Sequence, residues 1–351
     1  MRSPYPYFGG KSKAAHLIWN ALGDVDNYVE PFFGSGAVLL ARPDEHQWWN
    51  RTETVNDIDG MIANFWRALQ AEPDRVAEHA DHPVNENDLH ARHAWLVGQK
   101  DSLQARLEGD PGFSDPKIAG WWVWGTACWI GSGFCSGNGP WKVVNRQLVH
   151  LGDEGQGVNR KLVHLGNGQG VNRKLVHLGG GRGVNRKRVR LSGFAETGVN
   201  ARLDLVEYMR ELADRMRRVR VCCGDWSRVC GPSVTVNHGL TGVFLDPPYS
   251  ASAGRASGLY RRDSLTVAHD VRDWCLENGS DPLLRIVLAG YDREGHEALE
   301  SAGWRVHAWK GPAGFDGQGD GTNTNRTKER LWLSPGCVDA LAQLPLIESR
   351  T

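Results

Sequence analysis

The feature that most constrains the fold is an apolar run that ends in two consecutive prolines, TGVFLDPPYS at residues 241–250. Two prolines cannot continue a helix, and a proline cannot donate a hydrogen bond to a sheet ladder. The run GVFL is therefore predicted to be a strand that ends at Asp246. The stiff turn leaves a carboxylate, a backbone carbonyl and the ring of Tyr249 at the edge of a sheet. Two acceptors beside a stacking surface suit a planar ring that carries an amino group.

Strand and helix patterns alternate on both sides of this turn. Residues 27–40 read as a short strand, a Gly-rich turn and the start of a helix, and a second strand is followed by a helix at 60–70. After residue 199, helical spacing at 201–219 is followed by strand patterns at 220–226, 241–245, 283–292, 304–310 and 328–334. This alternation predicts an α/β fold with a parallel sheet.

A long segment interrupts the α/β pattern. It begins with polar, partly helical sequence and continues with a Trp-rich stretch, which we expect to pack a small core of its own. Four copies of a short motif follow at 144–152, 158–166, 171–179 and 184–192, each predicted to be an extended piece. We predict a discontinuous catalytic domain at 1–70 and 200–340, an inserted region at 71–199 with repeats at 144–192, and a C-terminal tail at 341–351.

The repeats carry an uneven share of the charge. The chain of 351 residues has a formal net charge of zero, yet residues 142–190 hold eleven Lys or Arg against two acids. Arginine recurs at equivalent positions of the copies, as Arg160, Arg173 and Arg186. A local basic block in a neutral protein favours a polyanion-binding surface. The alternative is a solvated surface loop enlarged by duplication.

The remaining composition excludes other classes of protein. No secretory signal is visible in MRSPYPYFGGK, and no apolar run reaches the roughly 18 residues of a membrane span. The seven cysteines lack paired metal-ligand spacing, so we expect free thiols and no metal site. These features predict a cytoplasmic protein.

A cofactor site is indicated at the first strand. Gly34 and Gly36 lie between a predicted strand and helix, where glycine allows the backbone to approach a ligand closely. Asp57 ends the next strand, a position at which an acid commonly binds ribose hydroxyls. The spacing matches neither G-x-G-x-x-G nor the phosphate-binding loop. It suits a cofactor that contains a nucleoside.

Four motifs occur in a fixed order: YFGGKSK, YVEPFFGSGAV, CCGDW and LDPPY. In this order, and with a long variable region before D-P-P-Y, the chain resembles the Dam-type DNA adenine methyltransferases over about residues 4–70 and 200–335. The resemblance implies a Rossmann-like sheet with helices on both faces, S-adenosylmethionine as cofactor and double-stranded DNA as substrate. The target sequence is not implied, because the region 71–199 matches only in position.

The resemblance also assigns cofactor-binding residues. Their motif positions are taken by Tyr7, Lys11, Glu30, Phe33, Gly34, Gly36, Asp57, Asp225 and Trp226. Lys11 would contact the cofactor's carboxylate or a nearby acid. Asp57 would bind the ribose and Asp225 the adenine amino group. A simple strand-end cap is the alternative for Asp225, and core packing is the alternative for Tyr7.

The implied reaction follows from the turn at residues 246–249. The target adenine leaves the duplex, because its amino nitrogen is otherwise paired and stacked. Asp246 and the carbonyl of Pro247 accept hydrogen bonds from the amine, Pro248 stiffens the turn, and Tyr249 stacks on the base. The loop that follows offers phosphate or gap-filling contacts from Tyr260, Arg261 and Arg262. No metal is required.

Two other functions remain open at this level. A cytosine-N4 DNA methyltransferase would use the same two acceptors, although Ser usually replaces the Asp there. A catalytically idle DNA-binding protein could keep the same fold, although every predicted catalytic position is intact. A cognate restriction endonuclease is a further candidate partner, and the oligomeric state is not indicated.

Overall fold

The computed structural model describes residues 1–5, 11–129, 134–135, 141–144, 147–150, 200–248, 267–292, 295–309 and 329–338, and for 141–144, 147–150 and 200–204 it describes the backbone alone. Within these ranges, no helix has both the length and the apolar character that crossing a bilayer would need.

Nine strands and eight helices make up the described part of the chain. The strands are β1 (Asn27–Glu30), β2 (Thr52–Asp57), β3 (Trp141–Val144), β4 (Gln147–His150), β5 (Arg220–Cys223), β6 (Thr241–Leu245), β7 (Leu284–Tyr291), β8 (Arg305–Ala308) and β9 (Glu329–Leu333). The helices are α1 (Ala15–Leu22), α2 (Gly60–Ala71), α3 (Pro73–Ala80), α4 (Glu86–Gly109), α5 (Pro116–Cys128), α6 (Asn200–Met216), α7 (Val267–Asn278) and α8 (Glu297–Ser301).

Seven strands form one sheet in the order β5-β2-β1-β6-β7-β9-β8. The pairs from β5 to β7 are parallel, and β9 runs antiparallel to both of its neighbours. Successive side chains of a strand alternate between the faces. Accordingly, Tyr28 and Phe244 join the core that contains α1, α2 and α6, whereas Val29 and Val243 join the core under α7 and α8. The α/β, Rossmann-like sheet with helices on both faces is thus confirmed.

The order of the strands places a crevice between β1 and β6. The chain continues from β1 to β2 on one side of this pair and from β6 to β7 on the other. Parallel α/β sheets bind ligands at such a switch point, outside the carboxyl ends of the strands. The Gly-rich turn follows β1 and the two prolines follow β6, so both predicted motifs lie at this crevice.

One predicted element is wrong. We expected a helix to begin directly after Gly36, but the structure has only a 3-10 turn at Leu39–Ala41. Pro43 explains the difference, because the residue before a proline is driven out of helical geometry. Arg42 is extended, with ψ of 128°. Only five residues lie between Gly36 and Arg42, which is room for little more than one helical turn.

The helices of the predicted insertion share the core of the sheet domain. α5 packs against α2 and α3, and α3 packs against α6. The ring of Trp122 on α5 lies 4.8 Å from that of Tyr5 and 6.0 Å from that of Phe65, between centroids. The Trp-rich stretch therefore belongs to the main core and not to a separate small one. The domain boundary at residue 71 stays a prediction.

The described part of the repeats agrees with an extended conformation. Gln147–His150, inside the first copy, forms β4 and pairs antiparallel with β3. The other three copies lie outside the described residues, as do Arg160, Arg173 and Arg186.

Candidate active site

The loop after β1 is held in an unusual backbone conformation. Gly34 and Gly36 have positive φ angles of 50° and 68°, which favour glycine. A Cβ atom added to Gly36 would lie 2.9 Å from the ring of Phe33 and 3.1 Å from that of Trp66. No larger residue fits at this position without displacing those rings. The two glycines that the sequence singled out are therefore required by the shape of the loop.

Three side chains fix the peptide groups of Gly34. Its N–H donates to Oδ2 of Asp57 at 2.9 Å, and its carbonyl accepts from the hydroxyl of Tyr5 at 2.7 Å and from Nε1 of Trp66 at 3.1 Å. Tyr5 and Trp66 were not predicted as site residues. Their sequence signal is weak, since both read as ordinary core aromatics.

Asp57 lies at the end of β2, beside this loop. Its Oδ1 accepts from the backbone N–H of Asp59 at 2.9 Å. Burial raises the pKa of Asp57 to about 7, although the N–H groups of Asp59 and Gly34 oppose the shift. Because the two oxygens of a carboxylate together offer about four acceptor sites, Asp57 retains capacity for a ligand. Its predicted contact with a ribose remains a prediction.

Asn56 of β2 links the segment that follows β1 to the segment that follows β5. Its Nδ2 donates to the carbonyl of Pro31, after β1, at 3.1 Å and to that of Gly224, after β5, at 3.0 Å. The backbone carbonyl of Asn56 accepts from the backbone N–H of Phe33 at 3.0 Å. Sequence reasoning missed this residue. The only signal was a polar side chain that precedes the strand-end acid.

The turn after β5 offers an exposed acid and an aromatic surface. Asp225 accepts from the N–H of Ser227 at 3.0 Å and from its hydroxyl at 2.6 Å, so the cap considered from the sequence is present. The ring of Trp226 stacks on Phe32, with centroids 6.1 Å apart and planes inclined by 26°. Phe32 was not predicted. The ring of the predicted Phe33 is buried against Trp66, and its contact with a cofactor stays a prediction.

Lys11 and Asp246 form an ion pair across the crevice. The Nζ atom lies 2.9 Å from Oδ1 and 3.0 Å from Oδ2 of Asp246, so it meets both carboxylate oxygens. The side chain of Lys11 is 3% exposed and that of Asp246 is 21% exposed. Of the two partners expected for Lys11, the structure shows the nearby acid.

Glu30 is buried next to this pair at the end of β1. The hydroxyl of Tyr28 donates to its Oε2 at 2.9 Å. Burial raises the pKa of Glu30 well above its usual range, and the negative charge of Asp246 adds to the effect. The protonated form of Glu30 is thereby favoured.

The carboxyl end of β6 presents the motif that opened the sequence argument. Asp246, Pro247 and Pro248 follow Leu245, which ends the strand. Tyr7, Tyr249, Tyr260, Arg261 and Arg262 lie outside the described residues. All seven cysteines are free thiols, and six of them are buried. Among the described residues, no group of three or more His, Cys, Asp or Glu side chains could hold a metal ion.

A comparison with protein families adds independent support. The model of the D12 class of N6 adenine-specific DNA methyltransferases matches residues 7–98, about a quarter of the chain. The match covers the Gly-rich loop and β2, and it continues past residue 71 into α4. A comparison with curated proteins found no significant match.

The matched family supports methylation of DNA on adenine as the class of reaction. Its members are enzymes that methylate DNA on adenine, so neither the cytosine-N4 alternative nor the idle DNA-binding protein is favoured. A methyltransferase of this family uses S-adenosylmethionine, and its substrate is DNA. The chain is similar to the D12 class of N6 adenine-specific DNA methyltransferases in its ordered motifs, its seven-stranded sheet and this match over residues 7–98.

Proposed function

We propose that this chain methylates N6 of an adenine flipped out of double-stranded DNA, in the crevice between the carboxyl ends of β1 and β6. The observation that supports it most is the position of Asp246. It directly follows β6 and lies beside the Gly-rich loop that follows β1. A methyl donor held by that loop and an amine held by Asp246 would therefore be neighbours.

The residues of the crevice fit S-adenosylmethionine. In the Gly-rich loop, the close packing around Gly36 leaves no room for a Cβ atom. The carboxylate of Asp225 is exposed and can accept from a donor such as an adenine amino group. In this proposal Trp226 and Phe32 border the adenine, Asp57 accepts from the ribose hydroxyls, and the backbone of Gly34 borders the methionine part. Asn56 keeps the two loops at a fixed separation. The cofactor supplies an activated methyl group on a positively charged sulfur.

The residues after β6 orient the target amine. Asp246 and the carbonyl of Pro247 each accept one amino hydrogen, which draws the nitrogen lone pair out of conjugation with the ring. Tyr249 stacks on the extruded base, at the cost of unstacking the duplex. Positioning and preorganised charge contribute much of the rate, so Asp246 need not be a strong base. The product amine loses its extra proton after the methyl group has moved.

DNA contacts outside the crevice are proposed for the basic residues. Arg160, Arg173 and Arg186 recur once per repeat and would contact successive phosphates. Tyr260, Arg261 and Arg262 follow the D-P-P-Y turn and would contact the strand around the extruded base. A DNA substrate also agrees with a cytoplasmic location.

The decisive experiment is modification-sensitive long-read sequencing of DNA from cells that express the chain or its Asp246→Ala variant. We expect N6-methyladenine in one short motif, and its loss in the variant. An exposed Asp74→Ala variant on α3 is the control and should methylate normally. N4-methylcytosine would overturn the choice of base. No modified base, from folded protein that binds S-adenosylmethionine, would refute DNA as the substrate.

A further inference from the structure

Three carboxyl groups converge on one edge of the sheet. Glu30 ends β1 and Asp246 follows β6. Glu329 begins β9, but β9 is antiparallel, so its first residue pairs with Tyr291 at the end of β7. All three groups therefore lie at the carboxyl edge of the parallel strands, where the crevice opens. Sequence reasoning did not identify Glu329, because it lies at the start of its strand.

These carboxyl groups differ in their partners. Oε2 of Glu30 already accepts from Tyr28, and both oxygens of Asp246 meet Lys11. Glu329 is only 8% exposed, and its Oε2 has no hydrogen-bond partner among the residues that the structure describes. A buried carboxylate oxygen without a partner is costly, because its hydration has been lost without replacement.

The electrostatics link Glu329 to the ion pair. Burial raises the pKa of Glu329, the positive charge of Lys11 lowers it and the negative charge of Asp246 raises it. Both members of the pair are thus close enough to act on the charge of Glu329. The acid is therefore part of the same cluster.

The resting ion pair poses a problem for the proposed reaction. The target amine must approach Asp246, while a buried ammonium already faces both of its oxygens. The charge of this ammonium would repel the positive charge that the amine gains as it accepts the methyl group. A lysine side chain is flexible and carries a compact charge, so a modest rotation can move the ammonium between nearby acceptors.

Resting on the function proposed above, we propose that Glu329 is the second carboxylate partner of Lys11 and receives its ammonium when the target amine binds to Asp246. The exchange keeps Lys11 paired inside the protein and leaves both oxygens of Asp246 to the target amine. The unpartnered Oε2 of Glu329 gains its hydrogen bond at the same moment. Glu329 acts through Lys11, so it is a positioning residue and does not touch the substrate.

The test compares Glu329→Gln with the wild type in the full chain. The assay measures transfer of a radioactive methyl group from S-adenosylmethionine to genomic DNA that lacks N6-methyladenine. We expect kcat to fall about 10- to 100-fold, the range for losing a charged hydrogen-bond partner. Calorimetry should show cofactor affinity within about twofold of the wild type, because Lys11 stays paired with Asp246 in the absence of DNA.

Two further variants separate positioning from a merely structural role. Glu329→Asp keeps the charge and should restore a large part of the lost kcat. Glu297→Gln removes an exposed carboxylate on α8 and should leave kcat unchanged. A Gln variant with wild-type kcat would overturn the inference. So would a fall in kcat that merely follows a loss of cofactor affinity, or unfolding of both the Gln and the Asp variants. An inactive wild type would instead refute the proposed function.

Discussion

The carboxyl group of Asp57 would control cofactor binding through its charge if the proposed function holds. It is buried beside the Gly-rich loop, and its pKa of about 7 places its proton in equilibrium near neutral pH. Because the folded-state pKa lies above the ordinary value of 3.8, the folded protein holds this proton longer than the unfolded chain. The contribution of Asp57 to stability therefore falls as pH rises from about 4 to about 7 and is constant above that.

Cofactor binding should show the opposite dependence on pH. If ribose hydroxyls donate to the ionised carboxylate, affinity rises as Asp57 loses its proton. We expect calorimetry with S-adenosylhomocysteine to show up to about tenfold tighter binding at about pH 8 than at about pH 6. Asp57→Asn should bind more weakly with little dependence on pH. The same slope in the wild type and the variant would argue against this role of Asp57.

Among the elements, the strand and helix at the opposite edge of the sheet are joined by a buried ion cluster. Glu53 at the start of β2 accepts from Arg42 at 3.1 Å and from Arg215 of α6 at 2.6 Å and 2.9 Å. The rings of Trp19 and Trp48 lie over the two guanidinium groups. Arg42 follows the 3-10 turn, so the cluster fixes the C-terminal end of the segment that begins with the Gly-rich loop.

Removing the central carboxylate of this cluster should be strongly destabilising. Glu53→Gln leaves the buried Arg215 without its carboxylate partner and leaves Arg42 only the more distant Asp24, at 3.9 Å. We expect a loss of about 3–5 kcal/mol in urea unfolding. Asp74→Asn breaks the exposed pair between Asp74 on α3 and Arg210 on α6, and it should have little effect. A Glu53→Gln variant as stable as the Asp74 control would show that the cluster contributes specificity without stability.

At the scale of the whole molecule, the charge is divided between the basic repeats and the rest of the chain. Residues 142–190 carry about +9 in a chain of zero net charge, so the remainder carries about −9. The basic repeats would attract DNA and the acidic remainder would repel it, and this difference would orient the DNA on the protein. The helices α3, α4 and α5, which precede these repeats in the sequence, pack into the core of the sheet domain.

Replacing Arg160, Arg173 and Arg186 together by Gln should weaken DNA binding without changing the preferred sequence. If each contacts one phosphate, the slope of log affinity against log salt falls by up to about three. Fluorescence anisotropy over a series of salt concentrations measures this slope. Arg75→Gln with Arg210→Gln is the control, since both arginines lie in the described helices α3 and α6. Unchanged affinity and slope in the triple variant would show that the repeats do not contact DNA.

The amino-acid sequence by itself determined the features that depend on neighbouring residues. Short apolar runs indicated strands, and the prolines after Leu245 placed the end of β6. The glycines at 34 and 36 indicated the loop, and the four ordered motifs indicated the family, which the comparison confirmed. Each of these signals is local, because backbone sterics and side-chain periodicity act within a few residues.

Tertiary structure alone decided which distant residues meet. Lys11 and Asp246 are 235 positions apart, and only the adjacency of β1 and β6 brings their neighbourhoods together. The two hydrogen bonds that Nδ2 of Asn56 donates to Pro31 and Gly224 depend in the same way on the order of the strands. Glu329 reaches the crevice only because β9 runs antiparallel to β7. Burial, ion pairing and shifted pKa values follow from packing between such distant segments, and no local pattern in the sequence encodes them.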